Sequence, residues 1–291
     1  MSANDLSLAE AKTSVFITSP NVRSPARPKN RRAARSHSRR VPDLVLESIV
    51  PVTILVIWDL VTRLQWVDPV FMPTPLSVAR AFYDLLFKDR LLLDLKVSGI
   101  TVLEGFTIGA GLGLATGIAA GLSSTVDKLI GSILNSIRQV PPLAFLPLII
   151  LWAGAGDTGK IVVVSKAVFF PVFMNTLQGI RSVAREYVEV GRIFEYPRLR
   201  MLRKVILPAA LPSIFVGIRY GAGMAWFMII AAEMLGGRHG LGYLLTRAQE
   251  LLLTDQLLLV IVIIGLIGFS VDVGLRRLER RLLRWKRGFE G

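Results

Sequence analysis

The sequence contains no cysteine. Disulfides, thiol nucleophiles and Cys-ligated metals are therefore excluded. Histidine is almost as scarce: His37 stands in an Arg/Ser-rich stretch and His239 in a Gly-rich one, neither in a spacing that ligates a metal. No complete GxxxxGK[ST] phosphate loop occurs; GAGDTGK at 154–160 lacks the closing Ser/Thr and falls in a loop between hydrophobic runs. The chain is thus expected to bind no cofactor of its own. Acidic residues are in the minority, 21 against 35 Lys and Arg. The excess of positive charge is not a nucleic-acid signature, because the basic residues crowd the ends of hydrophobic blocks and no groove-reading motif accompanies them. With no histidine inside an apolar run and no close carboxylate pair, an enzyme is not expected either.

What the sequence does have is apolar length. Hydrophobic residues make up 52% of the chain and fall in blocks separated by short polar breaks. That is the pattern of an all-α membrane protein, here of about six transmembrane helices. The expected spans are 44–64, 92–122, 129–152, 160–180, 207–235 and 256–275. Residues 1–43, ending in RPKNRRAARSHSRR, read as a disordered basic cytoplasmic tail, and 44–291 as the membrane domain. Between the first two spans, MPTPLSVARAFYDLL reads as a Pro-started amphipathic helix at the membrane interface. With both termini inside, the inner segments carry 24 Lys and Arg and the outer ones 7. The reverse orientation would invert that ratio, so the termini are expected in the cytoplasm.

Several features bear on mechanism. Gly105, Gly109, Gly113, Gly117 and Gly121 recur every fourth residue, which lays a groove without side chains along one face of the second span and predicts close helix packing. Pro141, Pro142 and Pro147 interrupt the third span and predict a bend. Arg138, Lys166 and Glu233, together with Arg219, are charges within or beside apolar runs, where a charge must be paired or face a cavity. The first three are candidates for a translocation path whose positive potential favours anions. A gradient-driven secondary transporter or channel using them as a charge relay is the alternative. Between the fourth and fifth spans, 182–206 is polar and basic. Val183, Tyr187, Val190 and Phe194 form one stripe, and Pro197 starts a second short helix. Such a hairpin on the cytoplasmic face is a plug for a groove in a partner.

Glu189-Val190-Gly191, followed by Val205-Ile206-Leu207-Pro208, resembles the "EAA" loop of permease subunits in binding-protein-dependent ABC importers. Glu189 matches the motif's acidic position, Val190 and Gly191 its two small-residue positions, and Leu207 and Pro208 its closing Leu-Pro. Glu195 stands where the family has a glycine. If the left-handed turn is kept there, glutamate costs about 1 kcal/mol. The stretches QVPPLAFLPLIILWAGAGDTGKI, FFPVFMNTLQGI, LPSIFVGIRYGAGMAW and AAEMLGGRHGLGYLL resemble the branch that imports sulfonates, taurine, nitrate and bicarbonate, most nearly its aliphatic sulfonate permeases. The resemblance implies a type I importer permease fold in the bacterial inner membrane, with 182–206 as the coupling hairpin. It also implies a second permease copy, two ATPase subunits that use ATP and Mg, and a periplasmic or lipid-anchored solute-binding protein.

Overall fold

The structure is a computed structural model that describes residues 41–283, apart from 69, 88 and 89. Apart from its last positions, the basic tail expected at 1–43 lies outside the described residues. Every regular element among the described residues is helical. In chain order they are α1 (Val41–Arg63), α2 (Pro75–Phe87), α3 (Leu91–Leu122), α4 (Ser124–Arg138), α5 (Pro142–Ala153), α6 (Asp157–Arg181), α7 (Arg185–Ile193), α8 (Arg198–Gly236), α9 (Leu241–Glu250) and α10 (Thr254–Leu282). The residues from Val50 onward form one compact unit.

Among the described residues, α3, α6, α8 and α10 are each long and apolar enough to cross a bilayer. Helix α1, at 23 residues, also has the length of a span, and Val50, Ile54 and Ile57 on it are exposed, as lipid-facing side chains are. The run expected as a third span, 129–152, is not one rod: α4 and α5 meet at 91°. The cause is local. Pro141 is extended (φ −53°, ψ 134°) and has no N–H to continue the helix. The amides of Gln139 and Val140 turn back to Ser136 and Ile137, at 3.2 Å each, to close α4.

Packing shows that this bent pair nevertheless returns the chain across the bundle. The five spaced glycines of α3 lie against Val164, Val168, Val172, Thr176 and Ile180 of α6, in the same order and at a constant offset. The two helices therefore run parallel. The segment joining the end of α3 to the start of α6 must pass from one face of the membrane to the other. The contact is close: a Cβ on Gly105 would lie 2.6 Å from Val164 Cβ, and one on Gly113 would lie 2.7 Å from the Phe169 carbonyl. Helices α6 and α8 are antiparallel, with Gly179 against Ser213 and Gly217 against Asn175. The core follows these contacts, with Val102, Val164, Val168, Val172, Ala225 and Ile229 buried together.

A second core closes the other end. Ala81 and Leu85 of α2 pack with Leu241 and Leu244 of α9 and Leu259 and Val260 of α10. Helix α9 falls in the outer loop expected from the sequence. Its stripe Leu241, Leu244, Ala248, all buried, has helical spacing.

Candidate functional site

Two regions collect the residues singled out from the sequence. The first is the hairpin. Helix α7 projects beyond the ends of α6 and α8, and its root is fixed by the Arg181–Asp127 ion pair at 2.6 Å, which ties the end of α6 to the start of α4. Gly191 is its one buried residue. A Cβ there would come within 2.7 Å of Met201 Sδ and Cε, so α7 seats closely on the first turn of α8 and a larger residue would displace the end of the Met201 side chain. The remaining surface is open. Glu189 is exposed, and Tyr187, Val190, Ile193 (78%) and Phe194 (67%) present apolar area to solvent. Val183 and Phe194, the ends of the expected stripe, lie just outside α7. A groove of about 730 Å³ between α7 and α8 is lined by Tyr187, Val190, Phe194, Lys204, Val205 and Pro208, among others.

Glu195 adopts φ +50°, so the left-handed turn is retained without glycine. Its amide donates to the Arg192 carbonyl at 2.9 Å and that of Tyr196 to Gly191 at 3.0 Å. This pair of bonds is the Schellman closure of a helix C-terminus, with Glu195 in the position that glycine fills without strain. Downstream, Leu202–Ile206 forms one wide turn of π geometry. It ends two residues before Pro208, which has no N–H to offer the Lys204 carbonyl. Leu207 packs on Ile180, Ala210 and Ile214, joining the hairpin to the bundle.

The second region is a cavity of about 330 Å³ between α4–α5, α6 and α8. Its lining includes both Arg138 and Lys166, with Asn175, Tyr220, Phe170, Met174 and Met224. Lys166 Nζ lies 3.3 Å from the centroid of the Phe145 ring and 5.9 Å from that of Phe170. No carboxylate pairs with Arg138 or Lys166 among the described residues. Arg219 differs: it is neutralised by Asp272 and Glu279 of α10, both at 3.2 Å, and Asp272 also holds Arg276. Asn175 and Tyr220 drew no attention in the sequence, because an amide and a phenol inside apolar helices carry no positional signal.

Glu233 is placed away from that cavity. It is 0% exposed. Its carboxylate accepts from Ser98 Oγ at 2.7 Å and from the Gly242 amide at 2.9 Å. Ser98 Oγ in turn accepts from the Leu241 amide at 3.0 Å, and Asp94 from Gly240 at 2.7 Å. Successive donors at the start of α9, which have no partner within their own helix, are thus met by side chains of α3 and α8. Gly240 has φ +110°, and a Cβ there would run into Glu233.

Long apolar helices, a short amphipathic hairpin at one face and a cation-lined cavity between broken and continuous spans define a membrane transport permease. The chain belongs to the family of binding-protein-dependent transport system inner membrane components, whose model matches residues 109–284. It is similar to the aliphatic sulfonates transport permease protein SsuC of Bacillus subtilis, 38% identical over 243 residues, 84% of this chain and 88% of that one. It is also similar to the taurine transport system permease protein TauC of Escherichia coli, 38% identical over 80% of this chain and 86% of that one. Among solved structures, the permease fold of an inward-facing MetNI methionine ABC transporter matches with a TM-score of 0.55 at 15% identity, covering 71% of this chain and 96% of that one. The protein is therefore the transmembrane permease subunit of an ABC importer of the inner membrane, with the type I importer fold. Family membership implies an ATPase and a solute-binding protein as partners.

Proposed function

We propose that this chain forms, as a homodimer, the path of an importer for a small organic anion of the aliphatic sulfonate or taurine class, with nitrate and bicarbonate as the nearest other cargoes. The termini lie in the cytoplasm. A solute-binding protein delivers cargo to the outer face, and two ATPase subunits, which hold ATP and Mg, dock under the hairpin. This chain binds no nucleotide and performs no chemistry on the solute. The observation that carries the reading is the hairpin surface. Tyr187, Val190, Ile193 and Phe194 form an exposed apolar patch beside Glu189, on a helix too short to be stable without tertiary support. Gly191 and Glu195 set how α7 is held, and Leu207 and Pro208 join it to α8.

Recovery of the ATPase with tagged protein from mildly solubilised membranes is the test. Parent protein should bring the ATPase down and Glu189→Lys should not. If the parent comes down alone in several mild detergents, the coupling role falls, and gradient-driven transport becomes the reading to pursue.

A further inference from the structure

The intramembrane cations divide into two kinds. Arg219 is compensated by two carboxylates, and Lys160 by Asp157 at 3.4 Å. Arg138 and Lys166 have no such partner, yet they share one cavity, and Lys166 sits about 14 Å from the start of α6, near the middle of that span. Lys166, uncompensated at that depth, is costly unless something negative meets it, and Arg138, exposed in the single chain, lines the same cavity. The Phe145 and Phe170 rings offset part of this cost for Lys166 through their π faces, which carry no net charge. Irregular backbone at membrane depth is tolerated where it lines a cavity, and the α4–α5 break contributes Arg138, Val140 and Pro142 to this one. Phe170 and Met174 continue the Lys166 stripe along α6 at i+4 and i+8, and with Met224 of α8 they supply the apolar lining of the same cavity.

We infer that this cavity is a transit site within the permease for an anion with one charged head and a short apolar tail. It rests on the importer reading above. Arg138 and Lys166 take the head. Asn175 and Tyr220 supply neutral hydrogen bonds, with the Asn175 amide shared with the Pro171 carbonyl at 2.9 Å. Phe170, Met174 and Met224 take the tail. Methionine suits tails of varied length because its side chain is unbranched and adaptable. The permease thereby discriminates by hydrocarbon content as well as by charge, and an inorganic oxyanion, with nothing to offer the apolar wall, binds less tightly than an alkyl one of the same charge.

The test is equilibrium binding of radiolabelled butanesulfonate and methanesulfonate to the full chain in nanodiscs, with each variant's melting temperature as a folding control. Lys166→Gln and Arg138→Gln should each weaken butanesulfonate by about tenfold or more, and Lys166→Arg should retain most of the binding. Met224→Ala, with Met174→Ala as a second variant, should weaken butanesulfonate by about threefold or more and leave methanesulfonate nearly unchanged, since roughly one methylene contact is worth that much. Binding indifferent to both Gln variants, or no saturable binding to the folded parent, overturns the site. Equal weakening of both sulfonates by the Met variants overturns the tail pocket. None of these results depends on ATPase recovery, so failure of the importer reading is scored separately.

Discussion

Replacing Glu195 by glycine should strengthen the hairpin, although glycine lowers the stability of most helical positions. Glu195 sits at φ +50° and closes α7 through amide bonds at 2.9 and 3.0 Å. A residue with a Cβ pays about 1–2 kcal/mol in that conformation. Glycine removes this strain but costs about 0.5–1 kcal/mol of additional chain entropy. The net gain at the middle of these ranges is about 0.7 kcal/mol, a roughly threefold slower opening of the turn. No hydrogen bond or ion pair of the Glu195 side chain offsets it among the described residues, and the side chain is exposed. A second term has to be separated: an acid beside a helix C-terminus opposes the macrodipole by about 0.3–1 kcal/mol. Glu195→Ala removes the charge and keeps the Cβ. Glu195→Gly removes both. Hydrogen exchange over 190–197 in the assembled transporter should therefore slow in the order Glu, Ala, Gly, with the Ala-to-Gly step isolating backbone strain. Equal exchange for Ala and Gly would refute the strain argument, and faster exchange for Gly would refute the left-handed turn itself.

Gly113→Ala forces a Cβ to 2.7 Å from the Phe169 carbonyl, whereas Gly111→Ala, two residues away, meets nothing within 4 Å. Thermal unfolding in detergent should show the first strongly destabilised and the second unchanged or raised by up to about 1 kcal/mol of helix propensity. Asp272→Ala leaves Arg219 with Glu279 alone and should cost about 1 kcal/mol, since both side chains are partly exposed and one partner remains. Adding Arg219→Gln should recover part of that loss, and a strictly additive double variant would argue against the pair. Glu233→Ala strands the Gly242 amide and the Ser98 hydroxyl and should cost about 1–3 kcal/mol in melting measurements, with protease sensitivity appearing around 237–242. Unchanged protease resistance would mean that α9 is held by its apolar face instead.

The features legible in the sequence were those set by local rules. Residues 92–122 and 207–235 were bounded by apolar composition and match α3 and α8's membrane portion closely, because lipid exposure is what composition reports. The glycine repeat pointed to close packing, and the proline cluster to a bend. Neither could say which helix fills the groove or how sharp the bend is, since both depend on the position of α6. The charge of Arg138 and Lys166 is plain in the sequence, but their meeting in one cavity is a product of the α4–α5 break. Arg219, like Lys166, reads in the sequence as a charge within an apolar run, though not as a path candidate. Only the approach of Asp272 and Glu279, more than 50 residues away, separates a neutralised cation from a free one. Glu233 stands out in the sequence as a charge in a span, while its partners on α3 and α9 depend on where those helices lie. Helix α9 was missed because its ten residues open on glycines and sit between longer apolar runs.

The connections of the hairpin restrict what its displacement can do. It is continuous with α6 at one end and α8 at the other. Those two helices are locked together by Gly179, Gly217 and Gly221, and by Ser213 Oγ donating to the Asn175 carbonyl at 2.8 Å. A push on α7 therefore moves Lys166, Asn175, Tyr220 and Met224 as one wall. Arg138 belongs to the other wall, at the end of α4, whose start is tied to the hairpin root through Asp127 and Arg181. If the hairpin transmits the stroke as proposed, with α4 pivoting on its Asp127–Arg181 tie, the separation of Arg138 from Lys166 is the distance expected to change. On that proposal, an anion held by both cations would lose one of them as the walls part, so the motion that opens the cavity would lower its affinity. Because the chain has no cysteine, labels introduced at exposed Ile133 of α4 and Val162 of α6, both outside the cavity lining, would report the separation of these walls without background. Trapping the ATPases with nucleotide should shift it by several ångströms. A distance that stays fixed while transport continues would place the moving part elsewhere.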